Sequence, residues 1–280
     1  MRTRAALTGA LAELRPISLE EVLAEAALQV RVDRKYLVPV GVFVELVNRL
    51  RDRFAVLEID GQRSFQYESV YFDTPSHRLY RQHLQRRRYR YKVRTRTYLD
   101  SGECSFEVKL KGNRSETIKS RLPYAASDRG RLTDPAHDFL AEQLKTAYGV
   151  GPVDGLRPAL VTTYRRSTLT DPTAHERLTC DIDLRFSDAT SSIDVLPESV
   201  LVESKTNGRT GSADAVLRDL RIRPIQVSKY CVAAALLNPT LRSNPWHRTI
   251  HQFTPSERDW SRGSVRRGGA AARADAEFGA

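Results

Sequence analysis

Lysine is scarce in this chain. Of its 45 basic residues only eight are lysine, at positions 35, 92, 109, 111, 119, 145, 205 and 229. Arginine is the default cation, so a lysine suggests a place that needs a compact ammonium rather than a planar fork. Seven of the eight, all but Lys145, fall in or beside the strand-like motifs below. Cysteine is scarce too. Cys104, Cys180 and Cys231 lie far apart, which excludes a disulfide framework or a zinc pattern and fits a reducing compartment. They read as small buried hydrophobes, not nucleophiles. The six histidines show no metal-ligand spacing. No apolar run approaches the ~20 residues of a membrane span. Glu13 and Arg15 interrupt a start that otherwise has the look of a signal peptide, so a cytoplasmic location is expected. There is no internal repeat, and no Gly-rich phosphate loop or kinase signature.

What is present is positive charge. The net formal charge is +11 over 280 residues, which points to a polyanionic partner: nucleic acid, an anionic membrane surface or a phosphate-rich small molecule. The length suits one domain with tails. The charge is concentrated in Arg88-Tyr-Arg-Tyr-Lys-Val-Arg-Thr-Arg96. Read as a strand, this puts Arg88, Arg90, Lys92, Arg94 and Arg96 on one face and Tyr89, Tyr91, Val93 and Thr95 on the other. A row of like charges is self-repelling and implies an anion facing it.

The patterning predicts a helix over about 18–29 opened by a capping box, Ser18 to Glu21, and an amphipathic helix over 40–52. Strands are expected at about 30–38, 54–59, 64–72, 87–98, 103–111, 115–122, 158–170, 176–186 and 198–206. Helices are expected near 135–147, 211–220 and 229–237. Residues 1–27 form an N-terminal segment, 28–240 the main domain, and 241–280 a basic tail without periodicity. Phe106, Val108 and Leu110 alternate with Glu107, Lys109 and Lys111. Leu178, Cys180, Ile182 and Leu184 alternate with Arg177, Thr179, Asp181 and Asp183. A charged face on one strand usually meets bulk water. Repeated over several strands, with acids among the bases, it indicates an α+β fold built on an eight-stranded antiparallel β-barrel with a hydrophilic interior and flanking helices.

The acids narrow the ligand. Glu107-Val-Lys109 and Glu203-Ser-Lys205 share one spacing, and Asp33-Arg-Lys35 is a near relative. Each puts a carboxylate and an ammonium on one strand face, ~7 Å apart at ~3.3 Å rise per residue. Such pairs beside an arginine ladder suit a phosphate chain, with cations on its oxygens and acids holding a divalent metal that bridges them. Carboxylates on a nucleic-acid face would repel it, which argues against a sequence-specific nucleic-acid partner.

Seven motifs in order carry a family resemblance: Arg34-Lys-Tyr-Leu-Val38, Ser69-Val-Tyr-Phe-Asp-Thr-Pro75, Lys92-Val-Arg-Thr-Arg96, Phe106-Glu-Val-Lys109, Ile118-Lys-Ser-Arg121, Val202-Glu-Ser-Lys205 and Val227-Ser-Lys-Tyr230. Residues 28–238 thereby resemble the VTC (vacuolar transporter chaperone) domain, the polyphosphate polymerase branch of the CYTH-like triphosphate tunnel metalloenzymes. The resemblance implies a basic triphosphate tunnel in which the γ-phosphate of ATP passes to a growing polyphosphate chain, with Mn2+ or Mg2+ as cofactor. It implies Lys35, Arg94, Arg96, Lys109, Lys119, Arg166, Arg177 and Lys229 as tunnel cations, with Lys229, Arg94, Arg96 and Lys109 nearest the chemistry, and Glu203 as metal ligand. Lys92, Arg121 and Lys205 join the substrate-binding set from the same motifs. Glu107 and Asp183 are further metal candidates from their facing alone. Three departures stand out. The wider superfamily opens with E-x-E-x-K, whereas this chain reads Arg31-Val-Asp33-Arg-Lys35, which weakens a two-metal hydrolase. His83 replaces a basic residue, making that contact dependent on pH. Gln226 stands where a lysine is frequent. A tunnel hydrolase or cyclase and a non-catalytic polyanion binder are the competing expectations. A membrane-protein partner is conceivable from the eukaryotic relatives but has no support in this sequence. The Tyr71-Phe-Asp73 stretch reads mainly as a turn, and Arg86–Arg88 as either a guide for an anion or a solvated run.

Overall fold

Period-two alternation along the main strands gives one apolar and one polar face, and a computed structural model shows how the two are used. It describes residues 2–25, 32–112, 117–208 and 210–254. The strands are β1 (Arg15–Ile17), β2 (Val32–Pro39), β3 (Ala55–Leu57), β4 (Phe65–Asp73), β5 (Tyr91–Tyr98), β6 (Cys104–Lys111), β7 (Thr117–Tyr124), β8 (Arg157–Asp171), β9 (Glu176–Ser187), β10 (Ser192–Val195) and β11 (Ser199–Thr206). The helices are α1 (Arg2–Ala12), α2 (Leu19–Glu25), α3 (Val40–Leu50), α4 (Arg78–Leu84), α5 (Asp134–Tyr148), α6 (Ser212–Asp219), α7 (Lys229–Leu237) and α8 (His247–Phe253).

Eight strands run in the order β2-β11-β9-β8-β4-β5-β6-β7, each antiparallel to its neighbours. The short strands sit beside this path: β1 pairs in parallel with β3, β3 joins β8, and β10 pairs with β9. The fold is α+β, built on a large antiparallel sheet with β2 and β7 at the two ends of the path. Among the described residues no helix is long and apolar enough to cross a membrane.

The helices cover the apolar face. Phe43, Leu46, Val47 and Leu50 of α3 are buried at helical spacing and pack with Leu7 and Leu11 of α1 over Val38, Cys180, Ile182, Val200 and Val202. α5 places Ala136, Leu140 and Leu144 on Val93, Phe106 and Val108. α7 is buried along most of its length and shares a cluster with Phe186, Leu201 and Phe253. The α2 capping box forms: Glu21 N donates to Ser18 Oγ at 3.2 Å, and Ser18 N donates to the Glu21 carboxylate at 2.9 Å.

Three expectations are revised. The five-cation strand shortens, because Arg86 adopts a left-handed φ of 52° and the chain turns, so β5 begins only at Tyr91. Lys92, Arg94 and Arg96 remain in the strand; Arg88 and Arg90 precede it. The segment after 240 also contributes structure: Trp246 packs on Tyr80 with ring centroids 5.4 Å apart, and Phe253 is fully buried. Finally, α4, absent from the expected elements, buries Leu79 and Tyr80, packs Leu84 beside them and receives its cap from a distance. Buried Asp73 accepts from the backbone N–H groups of Thr74, Leu79 and Tyr80 and from the Tyr230 hydroxyl. Residues 26–31, which include the end of the helix expected to 29 and the residue Arg31, lie outside the described residues, as does the tail from 255.

Candidate active site

The polar faces of both end strands, and of all the strands between them except β9, meet around one cavity of about 210 Å3. Its walls carry Lys35 from β2, Lys92, Arg94 and Arg96 from β5, Glu107 and Lys109 from β6, and Lys119 from β7. Arg166 from β8, Glu203 and Lys205 from β11, and Lys229 at the start of α7 complete the charged lining, with Asp33, Tyr71 and Tyr164 among them. A larger cavity of about 650 Å3 adjoins it and shares Asp33, Lys35, Lys92, Lys109 and Val227; His83, Arg90, Lys111 and Gln226 line the remainder. The sheet therefore curls until its two ends face the same space.

Three carboxylates, Glu107 and Asp181 buried and Glu203 partly so, organise these cations. Glu107, 2% exposed, accepts from Arg94 Nε at 2.8 Å and Nη2 at 2.6 Å. It also pairs with Lys119 at 2.8 Å, Arg121 at 3.4 Å and Arg96 at 3.8 Å. Burial alone would raise its pKa, but Arg94, Arg96 and Lys119 outweigh that and hold it well below the usual carboxylate range. Asp181 takes a bidentate bond from Arg166, at 2.6 and 2.9 Å, and a further one from Lys229 Nζ. Against the same burial penalty, Arg166 and Lys229 hold its pKa at about 2. Glu203 pairs with Lys35 at 2.9 Å and Lys205 at 2.8 Å and is likewise kept ionised.

Aromatic rings fix the cations from the other side. The Arg166 guanidinium lies 5.3 Å from the Tyr67 ring centre and 5.2 Å from that of Tyr164, and Lys229 Nζ is 4.4 Å from Tyr164. Arg94 donates to the Tyr71 hydroxyl at 2.9 Å. Val227, Ser228 and Lys229, where α7 begins, add a helix N-terminus to the lining, with Ser228 Oγ accepting from Cys231 N. Burial and neighbouring cations depress the lysines: Lys109, crowded by Lys92 and Lys35, to about 8; Lys119 to about 7 despite Glu107; Lys205 to about 8 despite Glu203.

Some expected site residues stand apart. Asp183 is not in the cavity: its left-handed backbone, φ 53°, lies beside a register shift between β8 and β9, and its carboxylate accepts from Arg4 Nε at 2.9 Å on the outside. Glu107 lines the cavity as expected, with both oxygens at ion-pair distance from cations. Arg177 sits across from Lys205 in register, on the face that carries Thr179 and Asp181, but does not line the cavity. Arg121 is half-exposed behind Glu107. His83 lies in the larger cavity with Nε2 3.1 Å from the Tyr91 carbonyl oxygen; burial, then Lys92, push its pKa to about 3. It is neutral at physiological pH, contrary to the pH-dependent contact expected. Tyr164 was not singled out, Tyr71 was read mainly as part of a turn and Asp181 only as a polar-face residue of its strand, although parity was the available signal. Tyr164 shares a strand face with Arg166, and Asp181 shares one with Thr179.

The lining fits a divalent ion only in company with a ligand. Among the described residues no group of three or more His, Cys, Asp or Glu could hold a metal. Glu203 is a single ionised carboxylate in a cavity rich in phosphate-binding groups. That suits an ion whose remaining ligands are phosphate oxygens and water.

None of the curated proteins matches the chain. Solved structures similar to it include a candidate adenylate cyclase from Bacillus halodurans (14% identity, 71% of this chain and 94% of that one, TM-score 0.46). Another is a candidate adenylyl cyclase from Hippeastrum, described as having a dominant triphosphatase activity (13% identity, 75% and 97%, TM-score 0.46). A third is a candidate adenylate cyclase from Vibrio parahaemolyticus (15% identity, 72% and 96%, TM-score 0.41). The family model of the VTC domain matches residues 30–238, most of the chain and every residue lining the two adjoining cavities, and the chain belongs to that family.

Proposed function

We propose that this protein is a metal-dependent phosphotransferase that moves the γ-phosphate of ATP onto a growing inorganic polyphosphate chain. One observation carries this reading: nine lysines and arginines line the inner cavity against three carboxylates, Asp33, Glu107 and Glu203. The basic lining then continues into the larger cavity. The positive surplus thus spans two adjoining cavities that share Lys35, Lys92 and Lys109.

The chemistry asks little covalent work of the protein. A terminal oxygen of phosphate or of the chain end, already anionic, attacks the γ-phosphorus. The bond from that phosphorus to the β,γ-bridging oxygen breaks, and ADP leaves with the electron pair. Arg94, Arg96 and Arg166, held by Glu107, Asp181 and the tyrosine rings, orient the phosphates and neutralise charge without reorganising. Lys229, fixed by Asp181, meets charge on the leaving or attacking oxygen, and Lys35, Lys92, Lys109, Lys119 and Lys205 hold the flanking phosphates. Mn2+ or Mg2+ bound through Glu203 would add charge neutralisation at the same oxygens. Asp33, which lines the cavity and acts on Lys205, favours a triphosphate hydrolase as the second reading, since two acids could position a water.

The test is γ-labelled ATP with Mn2+, comparing wild type and Glu203→Gln, with products resolved by chain length. The expected result is a labelled ladder, lost in the variant and on chelation, while metal-free tripolyphosphate binding persists in both proteins. Free phosphate alone would establish the hydrolase instead. No product of either kind would leave a binding module.

A further inference from the structure

Between Asp73 and Asp100 the chain has no acidic residue, yet it carries nine cations. Lys92, Arg94 and Arg96 serve the inner cavity and Arg90 the larger one. The others lie outside. α4 presents Arg78, Arg81, Gln82 and Gln85 at helical spacing, and the turn after it folds back so that Arg87, Arg88 and Tyr89 join them around a separate cavity of about 530 Å3. Among the described residues no carboxylate lines it. Arg87 Nε donates to Gln85 Oε1 at 2.9 Å, the Arg88 guanidinium lies 5.5 Å from the exposed Tyr89 ring, and the buried Gln82 Oε1 has no partner among the described residues. Left-handed Arg86 and the Arg87 N–H bond to the Gln82 carbonyl oxygen hold the turn in this position.

This cradle lies beside the site, although the two cavities share no lining residue. Gln82 faces it while His83, the next residue, lines the cavity that leads to Lys92 and Lys109. Arg90 bridges the two, donating to the Arg87 carbonyl oxygen at 2.6 Å while lining that same cavity. We propose that the α4 cradle is a second binding site for long-chain polyphosphate, gripping the part of the polymer that has left the inner cavity and so setting affinity by chain length. This rests on the polyphosphate reading of the inner cavity. A polymer already held at one end gains the second contact at high effective concentration, so modest exposed contacts suffice. Tripolyphosphate, filling only the inner cavity, does not reach the cradle.

The experiment measures binding of tripolyphosphate and of long-chain polyphosphate to wild type, Arg81→Ala/Arg87→Ala and Arg81→Lys/Arg87→Lys at matched salt. Both side chains are exposed, and the circular dichroism spectrum and melting temperature check the fold. Tripolyphosphate affinity should stay unchanged, long-chain affinity should fall about tenfold in the alanine variant, and the lysine variant should recover most of it. Equal loss for both ligands, or no loss for either, overturns the cradle and leaves the inner site intact. A single-stranded RNA of matched charge losing more affinity than polyphosphate would assign the patch to nucleic acid and overturn the proposal. Wild type that binds neither phosphate ligand would remove the functional reading along with the cradle.

Discussion

Glu107→Gln tests whether the cavity is held together by its acids. The carboxylate is buried and joins Arg94 and Arg96 of β5 to Lys119 and Arg121 of β7. Neutralising it leaves four cations facing one another across three strands. Breaking a buried ion pair costs about 3–5 kcal/mol. Arg121 is half-exposed and the Arg96 contact is long, so the low end, about 3 kcal/mol, applies. For a domain of this size that lowers the melting temperature by about 6–12 °C. The pH dependence has a definite sign. The native pKa lies below the ordinary carboxylate value of about 4.3, so the stabilisation is complete above that value and is lost only as pH falls towards the depressed one. The gap between wild type and variant should thus be widest at about pH 5–6 and narrow both in acid and as Lys119, with a pKa of about 7, loses its charge. Tripolyphosphate should stabilise the variant more than the wild type, because the ligand takes over neutralisation of Arg94 and Lys119 without a competing carboxylate. Thermal melts with and without tripolyphosphate read both effects. A variant melting within about 2 °C of wild type, or gaining less from the ligand, would refute the idea that Glu107 is the anchor.

Two further outcomes follow from the depressed bases. Lys109 and Lys205 titrate near 8 and Lys119 near 7 in the free protein, so tripolyphosphate binding at pH 8 should take up protons and weaken as pH rises through 7–9. Calorimetry in two buffers of different ionisation enthalpy would detect the uptake, and a null result would place these lysines in more solvated surroundings. The His83 ring should show no titration between about pH 5 and 8 by NMR in the free protein, given its burial beside Lys92; a midpoint near 6.5 would contradict the site geometry.

The sheet was largely legible because its signal is periodic. Phe106, Val108 and Leu110 on one side of β6 and Glu107 and Lys109 on the other already assign core and cavity. That rule failed where the backbone departs from the pleat. Asp183 continues the parity of Asp181 by count, but the left-handed residue at the β8–β9 irregularity sends its side chain outward, and no sequence pattern distinguishes the two aspartates. The Arg88–Arg96 row was over-read for a related reason, since alternation of cation and apolar residue persists through the turn at Arg86. α4 was missed because its start is fixed by Asp73, five residues upstream, and its exposed face is arginine and glutamine. His83 shows a different limit. Its identity suggests a titrating contact, whereas its charge state is set by burial and by Lys92, which only the folded chain brings together.

The distribution of the acids also indicates where the anion's charge is most needed. Glu107, Asp181 and Glu203 each tie cations from adjacent elements: β5 to β7, β8 to α7, and β2 to β11. These ties let a strongly basic interior assemble without its ligand, at the cost of partners the ligand must displace or share. Lys92 and Lys109 are the exception. They stand directly opposite each other in the β5–β6 register, and Lys109 stands opposite Lys119 in β6–β7. Neither Lys92 nor Lys109 has a carboxylate at ion-pair distance among the described residues, and burial, then Lys92 and Lys35, lower the basicity of Lys109 against the pull of Glu203. Both line the inner and the larger cavity at once. Like charges kept in register without a counter-ion are a standing destabilisation that an incoming phosphate relieves in full, since no internal bond has to be broken first. The junction of the two cavities is therefore where an added phosphate meets cations that no carboxylate among the described residues holds.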